Sequence, residues 1–166
     1  FHIIGQALFN PRQMKAAGLA ALGAGPDAEA AFQPVIRDVD DLRLAFLAFN
    51  ALTDGRNGQD EGWIRADWDR ERIVAAVRSA DARADVVIVS VHWGYEYQTR
   101  VDPAQRDAAR RLLRAGADLV IGHHPHVVQP FEVDDERAVA YSLGNFVFDQ
   151  GWGETGRGLA LRVLLD

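Results

Sequence analysis

The longest apolar runs in this chain are short, and each is followed by polar residues. Leu42-Arg43-Leu44-Ala45-Phe46-Leu47-Ala48-Phe49 and Asp85-Val86-Val87-Ile88-Val89-Ser90-Val91 read as strands buried on both faces, as does Asp118-Leu119-Val120-Ile121. Between them the period changes. Ile73, Val77 and Ala80 mark one face of a helix over 69–82, with Asp67 or Asp69 as its cap. Ala108, Leu112 and Ala115 mark a second helix, which Asp102-Pro103 opens and Gly116 stops. Pro34–Val39 predicts a strand joined to the first run by a turn at Asp40-Asp41.

The ends of the chain are patterned less sharply. Asn10-Pro11 predicts a helix to Leu22 that stops at Gly23-Ala24-Gly25-Pro26, read as a turn, and Asp27–Phe32 could form one helical turn. Phe1–Ile4 is a short apolar piece whose His2 reads as a terminal residue. Thr53–Trp68 reads as a long polar loop, pinned by Trp63 and Trp68. Val127–Val133, Ala138–Leu143 and Leu159–Leu165 read as three further strands, with 134–137 as a hairpin link.

Strand–helix–strand–helix–strand from Leu42 to Ile121 predicts a parallel sheet in an α/β domain. Ligand sites on such sheets form beyond the carboxyl ends of the strands. Asn50, His92 and the run His123-His124-Pro125-His126 all follow such ends, so the pattern gathers most of the histidines at one edge.

Composition narrows the chemistry. The 166 residues suit one domain, with 48% apolar and 25% charged residues as in ordinary globular proteins. There is no cysteine, so a bound metal must rest on nitrogen and oxygen. The net charge of −6 argues against nucleic acid as a partner. No apolar run approaches the ~20 residues that span a bilayer, and no signal-peptide pattern is seen. The chain opens on Phe1, as a fragment or trimmed chain would, so the parent's targeting stays open.

Three of the five histidines lie within four residues at a strand end. Imidazole is the commonest protein metal ligand, and clustered titratable groups mark functional sites. The candidate metal ligands are His92, His123, His124 and His126; Zn, Mn or Fe suits such donors better than Ca or Mg. Pro125 stiffens the loop between two of them. His92 and Glu96 are the candidate catalytic residues, with Glu96 either a ligand or a general base. Trp93 and Asn145 are candidate substrate contacts. A Gly144-Asn145 turn feeding an apolar anchor of Phe146 and Phe148 is the alternative for Asn145, and Asp149 reads as part of that turn.

Three stretches resemble the CapA family of bacterial poly-γ-glutamate capsule synthesis proteins. They are Ser90-Val-His-Trp-Gly-Tyr-Glu-Tyr97, Ala115-Gly-Ala-Asp-Leu-Val-Ile-Gly-His-His-Pro-His-Val-Val-Gln-Pro130 and Tyr141-Ser-Leu-Gly-Asn-Phe-Val-Phe-Asp149. The motifs are long and span about the last three quarters of the chain. The family in turn resembles calcineurin-like metallophosphoesterases. The resemblance implies layered sheets flanked by helices and two divalent metals at strand ends. His92 would match that superfamily's lone metal histidine, and His124 and His126 its final pair, with His123 an alternate for the first.

The family's amino-terminal Gly-Asp, Asn-Leu-Glu and Asn-Asn-His motifs are absent here. The resemblance therefore implies that 1–166 is one partial domain, incomplete at its amino terminus and holding part of a dinuclear site. It implies a phosphoesterase-type hydrolase of capsule synthesis, acting on an anionic polymer or phosphoester at the cell envelope, with membrane-bound capsule proteins as partners. The alternative is a non-catalytic component that binds or exports the polymer.

Overall fold

A computed structural model describes residues 18–52, 59–60, 63–134 and 136–165. Its centre is a six-stranded sheet of order β2-β3-β6-β7-β9-β8. The strands are β2 (Val35–Val39), β3 (Leu42–Asn50), β6 (Val86–His92), β7 (Leu119–His123), β8 (Phe131–Val133) and β9 (Ala138–Ala140). The inner four run parallel, while β2 and β8 close the edges antiparallel. The α/β class and the parallel core read from the hydrophobic periods are the observed ones.

The helices form where caps and periods place them. Helix α2 (Arg70–Asp81) starts at Asp69, whose carboxylate accepts from the amides of Glu71 and Arg72 at 3.1 Å. Helix α3 (Pro103–Ala115) opens on a reciprocal capping box of Asp102 and Gln105. The two helices pack together against the sheet. Their buried residues Ile73, Val77, Leu112 and Ala115 join Ala45, Leu47, Phe49, Val87, Val89, Val91 and Val120 in one core. Alternation along the strands therefore turns Ser90, His92, Ile121 and His123 to the opposite face of the sheet.

A small sheet of order β1-β5-β4 comprises β1 (Ala24–Gly25), β4 (Gln59–Asp60) and β5 (Trp63–Arg65). It is stitched to the end of β3 where the Ala66 carbonyl accepts from the Asn50 amide at 2.9 Å. A short helix α1 (Ala28–Ala31), capped by Asp27, packs beside it. None of the helices among the described residues is long and apolar enough to cross a membrane.

Several expectations change. Strands β4 and β5 lie inside the stretch read as a loop, and β1 inside the stretch read as a turn, because two or three residues are too few to show a period. Residues 11–17 of the expected first helix, and Phe1–Ile4 with His2, lie outside the described residues; Gly18–Leu22 is not helical. Only the 131–133 part of Val127–Val133 is a strand, and Ala138–Leu143 ends its ladder at Ala140. A single bridge joins Val128 to Leu143. The expected strand Leu159–Leu165 does not form. Six of its seven residues are apolar, but beyond the Leu159 amide bond to the Leu143 carbonyl it meets no neighbouring strand among the described residues. Leu164 is left 76% exposed.

Candidate metal centre

The parallel register sets three polar residues side by side at the carboxyl edge. Asn50 pairs with His92, and His92 pairs with His123. The chain leaves β6 and β7 through two loops, 93–101 and 124–130, held together at their bases and tips. The Trp93 amide donates to the His123 carbonyl at 3.1 Å, and the Tyr97 amide donates to the Pro125 carbonyl at 2.8 Å.

These loops bring Glu96, His124 and His126 together, each offering a ligand atom within 4.8 Å of the others. The His92 ring lies 4.8 Å from the His124 ring, centroid to centroid. Among the described residues four non-glycines have positive φ, and three border this cluster: Tyr97 at 63°, His124 at 101° and His126 at 58°. Such backbone is costly for residues with a Cβ, and its concentration here is characteristic of functional sites. The residue before a proline is normally extended. His124 instead takes positive φ, and its ring lies beside that of His92.

The electrostatics favour the neutral form of three of the imidazoles, those of His92, His123 and His124. Burial, reinforced by the neighbouring His124, His123 and His126 and by Arg65, lowers His92 to about 4. Burial alone lowers His123 to about 4. His124 is lowered by burial, against the opposing pull of Glu96. Neutral imidazole carries the lone pair that a metal needs.

His126 is oriented by its neighbours. Its Nδ1 lies 2.7 Å from Asn145 Oδ1, and Asn145 Nδ2 donates to the Thr155 carbonyl at 3.0 Å. That second bond fixes which end of the amide faces His126. An amide oxygen only accepts, so Nδ1 carries a proton, and in the neutral ring this leaves the lone pair on Nε2. Phe148 and Tyr97 flank the ring, with centroids at 5.0 and 6.4 Å.

The structure thus gathers His92, Glu96, His124, His126 and Asn145. His123 is on the same sheet face as His92 but outside the Glu96–His124–His126 group. Trp93 requires a correction. It is only 2% exposed, stacks on Tyr141 and donates from Nε1 to the Tyr141 carbonyl at 2.9 Å, so it is a core residue with no surface for substrate. Strand alternation explains this, because His92 faces one side of the sheet and Trp93 the other. Asp149 is exposed.

Two groups near the site were not read as site residues from the sequence, where Asp67 stood only as a possible helix cap. Asp67 accepts from Asn50 Nδ2 at 2.8 Å and from Arg65 Nε at 2.5 Å, beside the end of β3. Gln129 is buried under the 93–101 loop, a position that its place in the run after His126 could have suggested.

Comparison with known proteins settles the family. The model of the bacterial capsule synthesis protein PGA_cap matches residues 10–150. The chain belongs to the PGA_cap family. It is 38% identical over 149 residues to the capsule biosynthesis protein CapA of Bacillus anthracis, covering 87% of this chain and 36% of that protein. It is 48% identical over 87 residues to the PGA biosynthesis protein CapA of Bacillus subtilis, covering 52% and 23%. The chain thus spans about a third or less of the length of these PGA_cap relatives. Among solved structures, the sulfate thiohydrolase SoxB of Thermus thermophilus matches with a TM-score of 0.46 at 20% identity, covering 67% of this chain and 19% of that one.

Proposed function

We propose that this chain carries part of the metal centre of a phosphoesterase-type hydrolase that acts in capsule polymer synthesis. The convergence of Glu96, His124 and His126 carries the reading. The donor set fits a divalent transition metal such as Zn, Mn or Fe, being nitrogen and carboxylate oxygen with no thiolate. A second observation supports the fit. His92 Nδ1 is buried with no hydrogen-bond partner, a costly state for a polar atom that a cation would relieve.

His124, His126 and Glu96 would hold one ion, and His92, beside His124, would contribute to it or to a second. A bound ion would polarise a substrate oxygen and acidify water. The chain's own residues do the rest. Asn145 presents His126 Nε2 to the centre. Glu96 can ligate the ion or accept a proton. The substrate class is a phosphoester or a related anionic group of the polymer, because a cationic centre at the sheet edge attracts anions despite the chain's net charge of −6.

The test is titration with Zn²⁺ and Mn²⁺, together with turnover of a generic phosphate ester, on this chain and on the longer protein that contains it. We expect His124→Ala and His126→Ala to abolish metal binding and turnover. Glu96→Gln separates its two roles, since lost binding marks a ligand and retained binding with lost turnover marks a base. Absence of metal binding, or binding untouched by both histidine substitutions, would sink the reading. Poly-γ-glutamate binding that persists in both variants would then favour a non-catalytic component.

A further inference from the structure

Glu96 lies in an irregular loop, yet the loop is anchored from beneath by two buried amide side chains. Gln105, in the first turn of α3, donates from Nε2 to Gln129 Oε1 at 2.9 Å. Gln129 Nε2 donates to the carbonyls of Gln98 at 2.8 Å and Arg100 at 3.3 Å. Gln105 Oε1 accepts from the Asp102 amide at 3.1 Å. Both side chains belong to residues only 2% exposed.

This arrangement has one solution. Rotating the Gln129 amide would point its oxygen at two carbonyls and set its NH₂ against the NH₂ of Gln105. Rotating Gln105 as well would relieve the second conflict but leave the first, and would cost the bond to Asp102. The loop is also held on both sides of Glu96. Gly94, at φ 82°, lies so close that a Cβ there would stand 2.8 Å from Gln105 Nε2. The Tyr97 amide bonds to the carbonyl of Pro125, the residue between His124 and His126.

We infer that Gln129, locked by Gln105, is a positioning residue that holds the Glu96 loop so that its carboxylate faces His124 and His126. The inference rests on the metal-centre reading above with Glu96 as a ligand, and Zn²⁺ binding left unchanged by Glu96→Gln overturns it. Gln129 touches neither ion nor substrate; it acts through Glu96. A buried pair that only stabilised the fold would not be coupled to Glu96 in particular.

The experiment is a double-substitution cycle read by Zn²⁺ titration, with thermal unfolding in chelator as a control for folding. Gln129→Met keeps the length and removes every hydrogen bond. We expect it to weaken Zn²⁺ binding about tenfold, the usual effect of losing a group that orients a ligand. In combination with Glu96→Gln it should weaken binding no further than Glu96→Gln alone. Exchange of the Tyr97 amide should quicken. Gln105→Met, which leaves both bonds to the loop carbonyls intact, serves if Gln129→Met does not fold; it should show a smaller loss with the same non-additivity. Unchanged affinity in a folded variant, or losses that add in the double variant, overturns the positioning role alone. Absence of Zn²⁺ binding by the unsubstituted chain overturns the metal centre and this inference with it.

Discussion

His126 Nδ1 and Asn145 Oδ1 lie 2.7 Å apart, although 19 residues separate them in the chain. Asn145 in turn is held by the Thr155 carbonyl, so a turn after β9 sets the tautomer of a histidine after β7. Removing the partner of a ligating imidazole typically costs 10–100-fold in metal affinity. Asn145→Ala should therefore weaken Zn²⁺ binding by about that factor, while Asn145→Asp, which keeps the acceptor for Nδ1 but loses the bond to the Thr155 carbonyl, should lose less. Calorimetric titration reads both, and equal affinity in Asn145→Ala would count against the orienting role.

Gly122, in β7, lies beneath the bond between Trp93 Nε1 and the Tyr141 carbonyl. A Cβ on Gly122 would fall on both of those atoms, well inside contact distance. The Tyr141 atom is backbone and Trp93 is buried, so neither can yield cheaply. Gly122→Ala should destabilise the chain by about 3 kcal/mol. Urea unfolding measures this, and a loss below roughly 0.5 kcal/mol, the range of ordinary surface substitutions, would show that the strand adjusts.

Stability should fall as the solution becomes acidic. His92 and His123 titrate near 4 in the folded chain against 6.5 when unperturbed. Between these values the unfolded chain binds more protons than the folded one. The stability contributed by the neutral rings is complete above about 6.5 and is lost as the pH falls toward 4. Each histidine should add a slope of about 1.4 kcal/mol per pH unit inside that window. Urea midpoints of metal-free protein between pH 7 and 5, above most carboxylate titration, test this. His123→Gln should remove about one proton's worth of the slope; an unchanged slope would mean that its ring is not buried neutral.

The sequence reading and the structure agree where signals are long and repeated. Strands β3, β6 and β7 each carry at least four consecutive apolar or small residues, and α2 and α3 carry caps as well as periods. They part where the signal is short or depends on a partner. Leu159–Leu165 is as apolar as a buried strand, yet apolar composition cannot supply a neighbour to pair with. Trp93 directly follows His92, yet it belongs to the core, because one step along a strand reverses the face.

By itself, the order of residues determined the α/β class, the parallel core and the clustering of His92, His123, His124 and His126 at one edge of the sheet. Hydrophobic period, capping and the rule that parallel strands place their carboxyl ends together are properties of the chain alone. The tertiary structure decided which polar groups meet. It placed Glu96 opposite His124 and His126, paired Asn145 with Nδ1 of His126 and buried Gln129 under the Glu96 loop. Those relations depend on positive-φ turns at Tyr97, His124 and His126 and on contacts between separate loops. A local pattern specifies the course of an element, but the meeting of two loops depends on how the whole sheet is assembled.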